Sequence, residues 1–471
     1  MTERRTLIHN GVVITLDPKL GDLEGADILV EGEEIVAVGH DLGVEDAEVI
    51  DAEGCIVIPG FVDTHRHTWQ APVRNLASDW SLLEYFAGLH NGLSPHFRPQ
   101  DTYAGNLLGA TESIDAGVTT LVDWSHNLRT PEHADAAVAA LRDGGGRAVF
   151  AHGGGADQWD VIPPNPLPHP EDARRVRDEH FSSEDGLVTM ALALRGPRYT
   201  TREVARHDWQ LARDLELAIT VHVGDGEYGE SGEVAWLNSE GLLNPRTTYV
   251  HCNTSSDEEL RLIADSGATA SVATDVEMQM GHGWPATGRL LDVGIRPSLS
   301  IDVCSSISGS FFSLMRTTLS TQRAIDNETA RKEGTPLGTE PPRLSCRDVL
   351  EFATIEGARA AGLDHKIGTL TPGKQADIVV VRADGISMTP LNNPLGALIY
   401  NGHSGLVDTV MVGGQVVKRD AVLVEESKSG RARKLAEETR DHLLVAAADS
   451  QETSDIKLGG EWRPSRRPPI D

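Results

Sequence analysis

The chain has 471 residues, a net charge of −29 and a pI near 5.0. That much acidity leaves no basic stripe to displace counterions from a phosphate backbone, so nucleic-acid partners are excluded. Hydrophobic content of 39% describes an ordinary globular protein rather than a disordered one. No apolar run approaches bilayer length and no signal-peptide core follows Met1, so no membrane partner is expected and the expected location is cytoplasmic. Cys55, Cys252, Cys304 and Cys346 lie far apart without a CxxC pair, and reduced, mostly buried thiols are expected.

Residues 6–58 read as short strands separated by Asn10-Gly11, Gly32 and Gly39, the pattern of a small antiparallel sheet or sandwich. A strand over 55–62 runs into His65 and His67. Side chains alternate along a strand, so these two histidines share a side and Arg66 points away. Beyond Gly60, apolar strands at 117–123, 147–150, 187–192, 218–222, 248–251, 269–272 and 297–302 alternate with helical stretches such as 101–115, 203–216 and 257–265. Together with 55–62 these make eight βα units, which predict a (β/α)8 TIM barrel with its site at the strand C-termini.

From about 372 the strand-and-turn texture returns, at 376–381, 407–412 and 413–417. The expected division is residues 1–58 and 372–424 in one composite β-sandwich domain, 59–371 in the barrel, and 425–471 as a helix with an irregular tail over 464–471.

Two neutral imidazoles side by side at a strand end suit a divalent metal. Further donors stand at later strand ends: His222 on the fifth strand, His251 on the sixth and Asp302 on the eighth. In a barrel these ends converge on one mouth.

These stretches resemble the amidohydrolase superfamily, in its cytosine-deaminase-like and triazine-hydrolase-like branch. The matching segments are PGFVDTHRH at 59–67, GVTTLVD at 117–123, TVH at 220–222, VHC at 250–252, SIDVCSS at 300–306 and IGTLTPGKQADIVV at 367–380. The resemblance implies a metal held by His65, His67, His222 and Asp302, with His251 beside the attacking water or the attacked atom. Two-metal relatives use a carbamylated lysine on a middle strand, and this chain has no lysine between Lys19 and Lys332. One divalent ion is therefore expected, zinc first, with iron, manganese and cobalt also compatible with His3Asp. A water activated there would cleave a C–N bond, with Asp302 as general base and then general acid, and His251 steadying the developing charge.

Deaminases of the branch resemble one another in a His-x-x-Glu motif, but here Asp225 stands three residues after His222. Three readings stay open. Asp225 serves with a shorter reach, Glu227 or Glu230 replaces it, or the substrate needs no ring protonation. The expectation is a metal-dependent amidohydrolase cleaving a non-peptide C–N bond of a small, mostly uncharged compound of amide, urea, carbamate or amidine type. The alternatives are a deaminase of an N-heterocycle and, in another class, a metal-free assembly protein on the same scaffold. His282, Glu277, Trp69, Gln70 and Trp284 are the expected pocket residues, with Arg74 and the strand end Asp123-Trp124-Ser125-His126 as further candidates. Residues 80–86 read as a lid helix, a contact in a homo-oligomer or plain core packing.

Overall fold

The chain crosses between two sheets at Gly60. The computed structural model describes residues 4–155, 164–226, 231–339 and 341–449; the expected irregular tail over 464–471 lies outside them. The first sheet takes β1 (Arg5–Ile14), β2 (Asp22–Glu31), β3 (Glu34–Gly39), β4 (Glu48–Asp51) and β5 (Cys55–Pro59) from the N-terminal part. Eight further strands, β6 (Phe61–Arg66), β7 (Val118–Ser125), β8 (Arg147–His152), β9 (Val188–Leu194), β10 (Ala218–Val223), β11 (Thr247–His251), β12 (Thr269–Val272) and β13 (Ser298–Leu299), form the second sheet. The chain then returns to the first with β14 (Ile378–Arg382), β15 (Val407–Val412), β16 (Gln415–Arg419) and β17 (Val422–Leu423).

The first sheet is continuous in the order β17-β16-β15-β14-β5-β1-β2-β3, with β4 beside β1. The two ends of the chain meet where β5 pairs antiparallel with β14, Ile378 opposite Pro59 and Arg382 opposite Cys55. Alternation then divides the side chains between two cores. Val57, Ile378 and Val380 pack with Ile8, Val13 and Ile28 inside the terminal domain. Ile56, Ile58, Val379 and Val381 face the other way, into the large core shared with the barrel helices.

The single strand expected over 55–62 is two strands, and Gly60 explains the break. A Cβ on Gly60 would lie 2.1 Å from Thr119 Oγ1 on the neighbouring barrel strand. Only glycine lets the backbone pass that close, so the chain leaves the terminal sheet and enters the barrel within one residue.

Strands β6 to β13 are parallel neighbours in sequence order. Closure between the first and the eighth uses no long ladder. The Asp302 N–H donates to the His65 carbonyl (2.9 Å), the His67 N–H donates to the Asp302 carbonyl (2.8 Å), and Thr64 Oγ1 meets Ser298 Oγ at 2.9 Å. The barrel and the composite sheet thus agree with the sequence reading.

Local signals place the outer helices. Thr201 caps Arg202–Asp214 by accepting the Val204 N–H, and Ser256 with Glu259 forms a capping box at Asp257–Asp265. At the mouth, a short helix Leu82–Tyr85 continues as a π-type helix Phe86–Leu93. The last helix, Glu426–Asp449, buries Leu443 and Ala447 in a cluster with Trp69, Tyr85 and Leu89, bracing that segment from outside.

Candidate metal centre and active site

Five side chains from four strand ends gather at the barrel mouth. His65 Nε2 lies 3.2 Å from His222 Nε2 and 3.3 Å from Asp302 Oδ1, and His67 Nε2 lies 3.2 Å from the same oxygen. His251 Nε2 is 3.7 Å from Asp302 Oδ2. Two overlapping donor sets, His65/His67/His222 and His65/His251/Asp302, each have their ligand atoms within 4.8 Å of one another. All five residues are buried.

The donor chemistry fits a divalent cation. His67 Nδ1 lies 3.0 Å from the Trp124 carbonyl oxygen. A carbonyl only accepts, so Nδ1 carries the proton and Nε2 turns its lone pair inward. Burial pulls the pKa of His65 down to about 3, against the pull of Asp302, and burial with its neighbouring imidazoles pushes His222 well below the usual range. Burial alone would raise the Asp302 carboxyl, but the adjacent His65 and His67 imidazoles hold it well below an ordinary carboxylate. Neutral imidazoles and an ionised carboxylate are the forms that bind a metal.

Strand periodicity alone does not produce this convergence. His251 and Asp302 adopt φ of +78° and +62°, a left-handed backbone that costs non-glycine residues about 1–2 kcal/mol. Both kinks stand where the side chains turn into the donor set.

His251 is steered from behind. Its Nδ1 meets Glu277 Oε1 at 3.2 Å; the same oxygen accepts the Ala273 N–H at 2.8 Å, and Oε2 accepts from Asn253 Nδ2 at 3.2 Å. Burial disfavours charge on His251, but Glu277, Asp302 and Asp225 outweigh it and raise its pKa. Glu277 thus stands behind the wall and orients His251, instead of lining the pocket as expected from its loop.

The pocket above the donors has a volume of about 400 Å³ including its open mouth. His126, Asp225 and His282 line it as the sequence suggested, together with Tyr85, Phe86, His90, Tyr199 and Met280. Asp225 Oδ2 accepts from the Tyr199 hydroxyl, while Oδ1 lines no hydrogen bond among the described residues. Glu227 and Glu230, the other carboxylates weighed for that role, lie outside the described residues.

Four further expectations are corrected. Trp69 is fully buried, with its indole N–H donating to His126 Nδ1 at 3.1 Å, so it sets the orientation of a wall residue. Gln70 spends its amide on the Tyr85 hydroxyl (2.6 Å) and Ser305 (2.8 Å), fixing that helical segment to the loop after Asp302. Arg74 is paired with Glu112, and Trp284 is 67% exposed, outside the pocket. Sequence reasoning missed His90 and Tyr199, which come from a helix and a helical turn without a motif. The lid reading of residues 80–86 was the only signal close to His90.

Comparisons with known proteins agree with this geometry. The amidohydrolase family model matches residues 56–417. A 5'-deoxyadenosine deaminase of Methanothermobacter thermautotrophicus is 29% identical over 441 residues, covering 88% of this chain and 95% of that one. A 5-methylthioadenosine/S-adenosylhomocysteine deaminase of Pyrococcus abyssi is 27% identical, covering 91% and 97%. Among solved structures, an adenosine deaminase from Xanthomonas campestris with bound zinc superposes with a TM-score of 0.78 at 23% identity, over 93% of this chain and 98% of that one. A mutant atrazine chlorohydrolase from Arthrobacter aurescens, complexed with zinc and atraton, gives 0.79 at 24% identity, over 92% and 100%. At these identities the structural likeness speaks for the fold. No helix among the described residues is long and apolar enough to cross a membrane.

Proposed function

The chain belongs to the amidohydrolase family, and on that premise we propose that it is a single-metal hydrolase that removes an exocyclic amine from an uncharged N-heterocycle. The observation that carries this reading is Asp225. It stands on the pocket wall with one oxygen held by Tyr199 and the other unpaired among the described residues. A carboxyl so placed is what ring-nitrogen protonation requires, whereas cleavage of a simple amide or carbamate has no use for it. The deaminase names of the relatives support the same choice over the broader amide, urea or carbamate reading. A metal-free assembly role gains nothing from five buried donors aimed at one point.

His65, His67, His222 and Asp302 would hold the ion, with zinc favoured by the neighbours that contain it. When bound, such an ion supplies Lewis acidity that brings the pKa of a water from 15.7 to about 7. Asp302 takes the proton of the attacking water and later returns it to the departing nitrogen. His251, held by Glu277, faces the same carboxylate and steadies the oxygen on which charge develops. Asp225 gives its proton to the ring nitrogen next to the attacked carbon, which makes that carbon electrophilic and spreads the negative charge.

The test is a panel of amino-heterocycles (adenine, cytosine, melamine, adenosine, 5'-deoxyadenosine) beside simple amides, carbamates and ureas, with ammonia and amine release measured on metal-loaded enzyme. Ammonia from amino-heterocycles is the expected result. Turnover confined to the acyclic compounds would overturn the reading.

A further inference from the structure

One polar side chain of the pocket has no role in this scheme. His282 lines the cavity, is only 3% exposed, and has its ring edge-on to His251 with centroids 4.7 Å apart. Neither of its nitrogens has a hydrogen-bond partner among the described residues. A buried imidazole with both nitrogens open is a costly arrangement unless something else completes it.

Its neighbours behave differently. His67 is fixed by the Trp124 carbonyl, which only accepts, and His251 by Glu277. Each of these contacts decides which nitrogen carries the proton. Among the described residues nothing decides it for His282. A neutral imidazole so placed offers one N–H and one lone pair.

The backbone of His282 is nevertheless held firmly. Its N–H donates to the Glu277 carbonyl at 2.9 Å, and its carbonyl accepts the Gly226 N–H at 2.9 Å. The second bond ties this loop to the one that carries Asp225. The ring is therefore presented by a fixed backbone, next to the proposed acid, with its hydrogen-bonding edge unspent.

We propose that His282 is a specificity-determining residue that hydrogen-bonds a heteroatom flanking the attacked carbon, and that its free choice of tautomer lets it pair with either a donor or an acceptor there. The inference rests on the proposed deaminase reading and narrows its substrate class. In hydrolytic deamination an amidine edge, –N=C(–NH2)–, becomes an amide edge, –NH–C(=O)–, with water supplying the oxygen and ammonia leaving. Donor and acceptor exchange places along that edge. An imidazole locked in one tautomer would match the substrate or the product, but an unlocked one matches both. The substrates selected are planar compounds with an amidine edge, over compounds with an isolated amide.

The experiment compares wild type with His282→Asn, which keeps a donor and an acceptor, and His282→Phe, which keeps a planar ring without either. Each is loaded with zinc and checked for metal content and melting temperature. On any panel member the wild type turns over, His282→Phe should lose about 100-fold in kcat/KM and His282→Asn should recover to within about tenfold. Equal kcat/KM for wild type and His282→Phe overturns the inference while deamination stands, as does an equal loss in both variants with metal content intact. If the wild type turns over no amino-heterocycle, the deaminase reading falls separately. Calorimetric binding of adenine and hypoxanthine, cytosine and uracil to the same three proteins then decides the role of His282. Weakened binding in His282→Phe alone supports it, and unchanged or absent binding overturns it.

Discussion

Asp302 and His67 are joined twice: the His67 N–H donates to the Asp302 carbonyl at 2.8 Å, and His67 Nε2 lies 3.2 Å from Asp302 Oδ1. The first contact is part of barrel closure and the second is part of the donor set. Barrel closure and the candidate metal centre therefore draw on the same strand end.

This link shapes what Asp302→Asn should do. The φ of +62° at Asp302 is one that asparagine also tolerates. The backbone closure survives, so the melting temperature should stay within a few degrees of wild type. Turnover should fall by about 1,000-fold or more, since the proton acceptor is gone. Near-normal rates with full metal would remove Asp302 from the proton-transfer role.

Glu277 is expected to act through His251. In Glu277→Gln, an orienting partner is exchanged for a weaker one, and kcat should drop about 10–100-fold with KM little changed. Glu277→Ala also strands the Ala273 N–H and Asn253 and should cost about 1–3 kcal/mol in urea unfolding. A KM effect without a kcat effect would instead put Glu277 in contact with substrate.

Asp225 separates the two enzyme readings. Asp225→Ala should cost about 100-fold or more in kcat on an amino-heterocycle. On a substrate whose leaving group needs no ring protonation the loss should be small. Tyr199→Phe, which frees the held oxygen of Asp225, should lie between Asp225→Ala and wild type.

Glu233 offers a pH test away from the metal donors. Burial, reinforced by Asp225, pushes its carboxyl from 4.5 up to about 8. Between those values the folded protein keeps a proton that the unfolded chain has released, so stability from this group is present below 4.5 and falls as pH rises towards 8. Glu233→Gln should be free of that decline. Urea midpoints at acidic and alkaline pH should show the variant gaining on wild type by a few kcal/mol, on the order of 1.36 per shifted unit at most. Parallel pH curves would count against a protonated Glu233.

The crossing at Gly60 predicts a stability effect with no catalytic meaning. In Gly60→Ala the new methyl meets Thr119, and the overpacking should cost about 1–3 kcal/mol. Pairing it with Thr119→Ala should restore part of the loss. An unchanged unfolding midpoint in the single variant would show that the two sheets can separate there.

The sequence by itself determined the fold class, because eight apolar strands recur with room for a crossover after each, and local periodicity reports them directly. It also determined where the donors stand, since His65, His67, His222, His251 and Asp302 each mark a strand end visible as a change in pattern. The tertiary structure decided how those ends meet: His251 and Asp302 turn at positive φ, and the hydrogen bonds between the first and eighth strands join residues more than 200 apart. It also decided which side chains reach the substrate space. Trp69, Gln70 and Glu277 carry the residue types of a pocket but are spent holding His126, Tyr85 and His251. Tyr199 and His90 carry no motif but stand on the wall. Periodicity encodes which face of an element is buried, whereas the choice between lining a cavity and standing one layer behind it is set by hydrogen bonds that form only when distant elements pack.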